Sequence, residues 1–185
     1  VNIVGRIEEA KARDVMKILL PQTGRKLTSE DVDRFFDHSM LVKYHRGGFV
    51  CQSDGELYSQ IEDSFDWEEE IRYSVKPFYP TDYMDVLAHG EYPFFKPYRM
   101  EERVFYSFLT GCLRYTNESA LSNITFYYCH LQDPEYDIKD MIHELTCNVQ
   151  FHDTTMKKYA IDVIKRFCNG IPKFILKGNT SKQVR

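Results

Sequence analysis

No stretch of this chain approaches the roughly 20 consecutive apolar residues that a bilayer-crossing helix needs. The first residues do not combine a basic region with an apolar one, so neither a membrane span nor a secretory leader is expected. There is no Gly-x-Ser-x-Gly turn and no glycine loop able to cradle phosphate, which removes the common signatures of serine hydrolases and nucleotide-binding enzymes. Cys51 follows Gly47-Gly48 with no base evident beside it. Positive charge is in deficit: 24 Lys and Arg stand against 28 Asp and Glu, a formal net charge of -4. The basic footprint that supplies most non-specific affinity for nucleic acid is therefore missing. The five cysteines are odd in number and not closely paired, and Cys112, Cys147 and Cys168 fall near apolar faces, so free thiols in a reducing compartment are expected. Glycosylation-type triplets at Asn117, Asn123 and Asn179 argue the other way. Val1 rather than Met opens the chain, which reads as part of a larger intracellular protein, cytoplasmic or nuclear.

What is present is an ordinary globular composition, 43% hydrophobic and 28% charged over 185 residues, with 13 Tyr and 13 Phe. Residues 1–66 read as a helical lobe. Ile7, Val15, Ile18 and Leu19 mark a helix that Pro21 ends, and Thr28 or Ser29 caps a second carrying Val32, Phe35, Phe36 and Met40. A short Phe49-Val50-Cys51 strand and a helix from Asp54 to Phe65 would follow, an order that suits a winged-helix-like lobe. Glu62, Asp63, Asp66, Glu68, Glu69 and Glu70 make an acidic boundary, which reads as solvated linker.

Residues 67–177 read as strand, helix, strand, strand, helix, strand. Apolar residues alternate over Ile71 to Lys76; Val104, Phe105, Phe108, Leu109, Cys112 and Leu113 share a helical stripe between Met100 and Tyr115. Ile124 to Leu131 is rich in β-branched and aromatic residues, and Leu145, Cys147, Val149 and Phe151 alternate with polar neighbours, so both read as strands. Asp153 or Thr154 caps a last helix, Asn169-Gly170 stops it, and Phe174-Ile175-Leu176 would close the sheet. The predicted fold class is α+β: the helical lobe followed by a ferredoxin-like βαββαβ antiparallel sheet with two helices on one face, and residues 178–185 as a flexible tail.

Chemistry-bearing residues are sparse. Cys129, His130, His143, Cys147 and His152 fall within 24 positions and are the weak metal candidates, but on strands they diverge to opposite faces, so core thiols and surface histidines are expected and no cofactor is predicted. His143-Glu144-Leu145-Thr146-Cys147 has part of the His-Glu-x-x-His spacing, which needs a helix to align its ligands. His130-Leu131-Gln132 is similar to a metal-binding motif of circovirus-type rolling-circle replication proteins. The Tyr-x-x-Lys that such a resemblance requires well downstream occurs only at Tyr136 to Lys139, so the likeness ends at three residues.

Two binding readings follow. An open sheet face with Arg72, Lys76, Asn148 and Gln150 would resemble an RNA-recognition motif, and Arg46-Gly47-Gly48-Phe49-Val50 looks like a piece of its signature, although outside the sheet unit. The favoured reading is a non-catalytic protein-interaction domain whose partner-binding anchors are Tyr92, Phe94, Phe95 and Tyr98, aromatics set among prolines in the long connection 77–99. The ordinary alternative is that these rings pack onto their own domain.

Overall fold

The computed structural model describes residues 3–39, 50–53, 55–59, 78–90, 95–133, 135–147, 149–151 and 153–184. Strand β1 (Arg6–Glu8) leads directly into helix α1 (Glu9–Leu19), and Pro21 sits in the first turn of a 3-10 turn, Leu20–Thr23, that finishes it. Helix α2 (Ser29–His38) opens on a reciprocal cap: the Asp31 amide donates to the Thr28 hydroxyl and the Thr28 amide to the Asp31 carboxylate. β2 (Val50–Ser53) and β3 (Glu56–Ser59) form a hairpin through Gly55, whose φ of +84° glycine adopts without strain. The three strands lie antiparallel in the order β1-β3-β2, with Ile7 opposite Leu57. Ile3, Val4, Ile7, Val32, Phe36 and Leu57 fill a small core between this sheet and the first two helices.

The other described elements are helices. α3 (Tyr83–Ala88), α4 (Met100–Gly111), α5 (Asn117–His130), α6 (Ile138–Thr146) and α7 (Thr154–Gly170) follow in order, with α4 packed between α5 and α7, and α6 also against α7. Phe105, Phe108, Leu109, Ile124, Tyr128, Met141, Ile164 and Phe167 are at most 1% exposed in the larger core. Phe105 and Phe167 stack with centroids 4.3 Å apart and tie α4 to α7. Burying each such ring stabilises the fold by roughly 2–3 kcal/mol.

Among the described residues no ferredoxin-like sheet forms, and the α+β assignment is corrected to a mainly helical fold. Residues 124–131, predicted as a strand, belong to α5 and its cap. Ala120, Ile124, Tyr127, Tyr128 and Leu131 are buried at helical spacing, and the Ser119 amide donates to the Thr116 hydroxyl at the helix start. The strand predicted at 145–151 begins inside α6, whose Asp137 cap takes the Lys139 amide at 2.9 Å. Residues 174–176 lie in turns. The helix predicted from Asp54 is replaced over 56–59 by β3. The strand predicted at 71–76 lies outside the described residues. Burial on one helical face overrode β propensity in α5 and in α6. Among the described residues of this half there is no sheet to serve as the open-sheet platform for RNA.

Gly170, predicted as part of the helix stop, is the last residue of α7. Its role is close approach: a Cβ there would stand 2.3 Å from Glu101 Cγ on α4. After α7 the chain turns back through Pro172, which bridges to Thr180, and a buried Gln132 holds the turn. Gln132 Nε2 donates to the carbonyls of Tyr128 (3.0 Å) and Pro172 (3.3 Å), while its Oε1 accepts the Phe174 amide at 2.9 Å.

Candidate functional site

Of the predicted partner anchors, Tyr92 and Phe94 lie outside the described residues. Phe95 is 0% exposed, edge-on to Tyr128 at 5.0 Å, and its amide donates to Thr125 Oγ1 at 3.1 Å. Tyr98 is half-buried and donates its hydroxyl to Asp82 at 2.6 Å. As placed, Phe95 offers no surface to a partner, because its ring belongs to the chain's own core. Arg72, Lys76, Asn148 and His152 are outside the described residues; Gln150 is exposed in irregular chain after α6.

The structure gathers few of the metal candidates. Cys129 and His130 sit at the end of α5, and burial pushes the Cys129 thiol up to about 12. His143 and Cys147 lie on and just after α6, so the strand argument for their divergence is corrected: a helix sets positions four apart along one side. The Cys147 thiol donates to the Glu144 carbonyl. Among the described residues no group of three or more His, Cys, Asp or Glu could hold a metal ion.

A buried polar centre that sequence reading missed lies where α3 meets the start of α4. His89 is 1% exposed; its Nδ1 lies 2.8 Å from the Asp85 carbonyl and its Nε2 2.7 Å from Glu102 Oε1. Both ring nitrogens face acceptors, so both carry protons. Burial lowers the imidazole's proton affinity, but the bonds to Asp85 and Glu102 outweigh it and raise the pKa to about 9. Arg99 clamps Asp85 with bonds of 3.0 and 2.6 Å. Burial pushes the Asp85 carboxyl up, yet the His89 and Arg99 bonds prevail and leave it lowered. Glu102 uses its other oxygen to accept the amides of Tyr98 and Arg99, at 3.0 and 2.9 Å. Two cations and two carboxylates thus neutralise one another beneath Phe95 and Tyr128. The arrangement ties the end of α3 to the start of α4.

The exposed chemistry gathers elsewhere, on the far end of α5. Because Ile124, Tyr127 and Tyr128 take the core side, Phe126 points outward and is 49% exposed. His130, one turn later, lies against it with centroids 4.1 Å apart, and Tyr136 from the following loop lies 5.4 Å from His130. Tyr136 donates its hydroxyl to Glu144 on α6 at 3.1 Å. Burial, then the neighbouring Glu144, holds the Tyr136 hydroxyl protonated well above its ordinary range. Phe126, His130 and Tyr136 form a ledge fixed by two helices and a loop.

A shallow cleft of about 250 Å3 between α7 and the following segment is lined by Asp162, Lys165, Arg166, Asn169, Ser181 and Lys182. Two of its cations are already paired, Arg166 with Asp162 at 2.8 Å and Lys182 with Glu101 at 2.5 Å. It is a salt-bridged seam. Set against models of known families, curated proteins and solved structures, the chain finds no match. Among the described residues no helix is long and apolar enough to cross a membrane.

Proposed function

We propose that this chain is a protein-interaction domain and that the ledge of Phe126, His130 and Tyr136 is its docking surface. One observation carries the reading: a phenylalanine ring stands 49% exposed on a helix, with a second ring tilted against it and a third beside that. Leaving half of such a ring in water forgoes on the order of 1 kcal/mol of burial, which a partner would recover. Aromatic side chains provide large contact area for few rotatable bonds, and rings already held in place lose little entropy on binding.

The test is capture from native extract, after nuclease treatment, with the whole 185-residue chain as bait beside its Phe126→Ala and Tyr136→Ala variants. Partners retained by the parent chain and lost by both variants, with melting temperatures unchanged, are expected. Equal capture by parent and variants would remove the ledge as the docking surface.

A further inference from the structure

We propose that the occupant of the ledge is an arginine-bearing segment of a partner protein; this rests on the ledge being the docking surface. Charge complementarity carries the step. Asp133, Glu135, Asp137, Asp140 and Glu144 follow the ledge within twelve positions, and the only lysine among residues 126–146 is Lys139, with no arginine there at all. Lys139 pairs with Asp137 at 3.3 Å. Among the described residues, Asp133, Glu135, Asp140 and Glu144 pair with no lysine or arginine. Several carboxylates elsewhere have cations of their own: Glu9 and Asp37 with Arg13, Asp33 with Lys17, Asp85 with Arg99, Glu101 with Lys182, and Asp162 with Arg166. Four carboxylates without a lysine or arginine partner among the described residues thus lie close in sequence to the exposed rings.

The guanidinium suits each half of this surface, with a separate arginine for each. Its flat face stacks on an aromatic ring, and its edge offers paired N–H donors to a carboxylate. Phe126 supplies the exposed face. Glu144, exposed and already held by the Tyr136 hydroxyl, supplies an acceptor at the other end of the same ledge. Lysine can satisfy the carboxylate but stacks less well, so arginine is the better occupant.

The experiment is an amide NMR titration of the whole chain with the peptide Gly-Arg-Leu-Arg-Gly, against versions with Lys or Gln in place of Arg. We expect shifts centred on Phe126, His130, Tyr136 and Glu144, weaker binding of the Lys peptide, none of the Gln peptide, and at least about tenfold loss of affinity in Phe126→Ala and in Glu144→Gln. Shifts spread over unrelated acidic surfaces, or affinity indifferent to Phe126→Ala, would show diffuse attraction and overturn the proposal. If the Arg peptide does not bind while extract partners still depend on Phe126, the arginine assignment falls and the docking surface stands. If those partners too are indifferent to Phe126, both fall.

Discussion

Single positions carry much of the argument, and Phe95 is the clearest. Its sequence context, aromatics flanked by prolines, is shared by interface anchors and by self-packing loops, so local pattern could not separate them. The structure puts the ring at 0% exposure against Tyr128 and His89. Phe95→Ala should therefore cost about 3–5 kcal/mol, read by chemical denaturation; a loss below 1 kcal/mol would contradict that burial. Gly170 offers a test with a sign. In an exposed helix interior, Gly→Ala stabilises by roughly 0.5–1 kcal/mol. Here the new methyl meets Glu101 Cγ at 2.3 Å and Cβ at 2.9 Å, so Gly170→Ala should destabilise by about 1–3 kcal/mol. A rise in stability would mean that α4 and α7 are not so close.

At the scale of elements, what could be read and what could not divide along a physical line. Helices α4 and α7 follow single apolar stripes, and Asp153 caps α7 by accepting the Met156 amide at 2.7 Å, as its sequence position implies. The Thr28–Asp31 cap of α2 was equally visible. Helix α5 misled because Ile124-Thr125-Phe126-Tyr127-Tyr128 is a strand-like composition; the 120, 124, 127, 128, 131 spacing and the Thr116 cap were the signals that could have found it. Asp54-Gly55 was likewise a hairpin signal, overlooked where a helix was drawn. The ledge was not legible while residues 124–131 were a strand, because alternation would have put Phe126 on the core side with Ile124 and Tyr128. Thr116→Ala should lower stability by about 1 kcal/mol and slightly reduce helical circular dichroism. No change in either would remove the cap from the account of α5.

For the whole molecule, the buried His89 centre sets a pH dependence. Its imidazolium has a pKa raised from 6.5 to about 9. A raised value adds stability that is fully present below about 6.5 and disappears as pH climbs through about 9, a span worth about 3 kcal/mol. Asp85, held below its ordinary value, works in the opposite direction: its contribution exists above the unfolded carboxyl range and is lost in acid. The melting temperature should thus fall between pH 6.5 and 9, and His89→Gln should flatten that limb while lowering the overall value. A parent chain whose stability is level across that interval would contradict the protonated state. His89 and Glu102 are 13 positions apart and Asp85 and Arg99 14, but nothing in their local pattern pairs a histidine at the end of one helix with a glutamate in the first turn of another.

Gln132 also gives the molecule a direction in time. Its side-chain amide is satisfied by the carbonyl of Pro172 and the amide of Phe174, 40 and 42 positions later. A chain growing from the ribosome has made α5 long before those partners emerge, and until they do the core holds a polar group with two of its three bonds unmade. Helices α4 to α6 can gather early, yet the interior becomes dry only when residues 172–174 arrive. Synthesis that stalls between α6 and the end of α7 would leave a wet, open bundle displaying the phenylalanines that the finished protein hides.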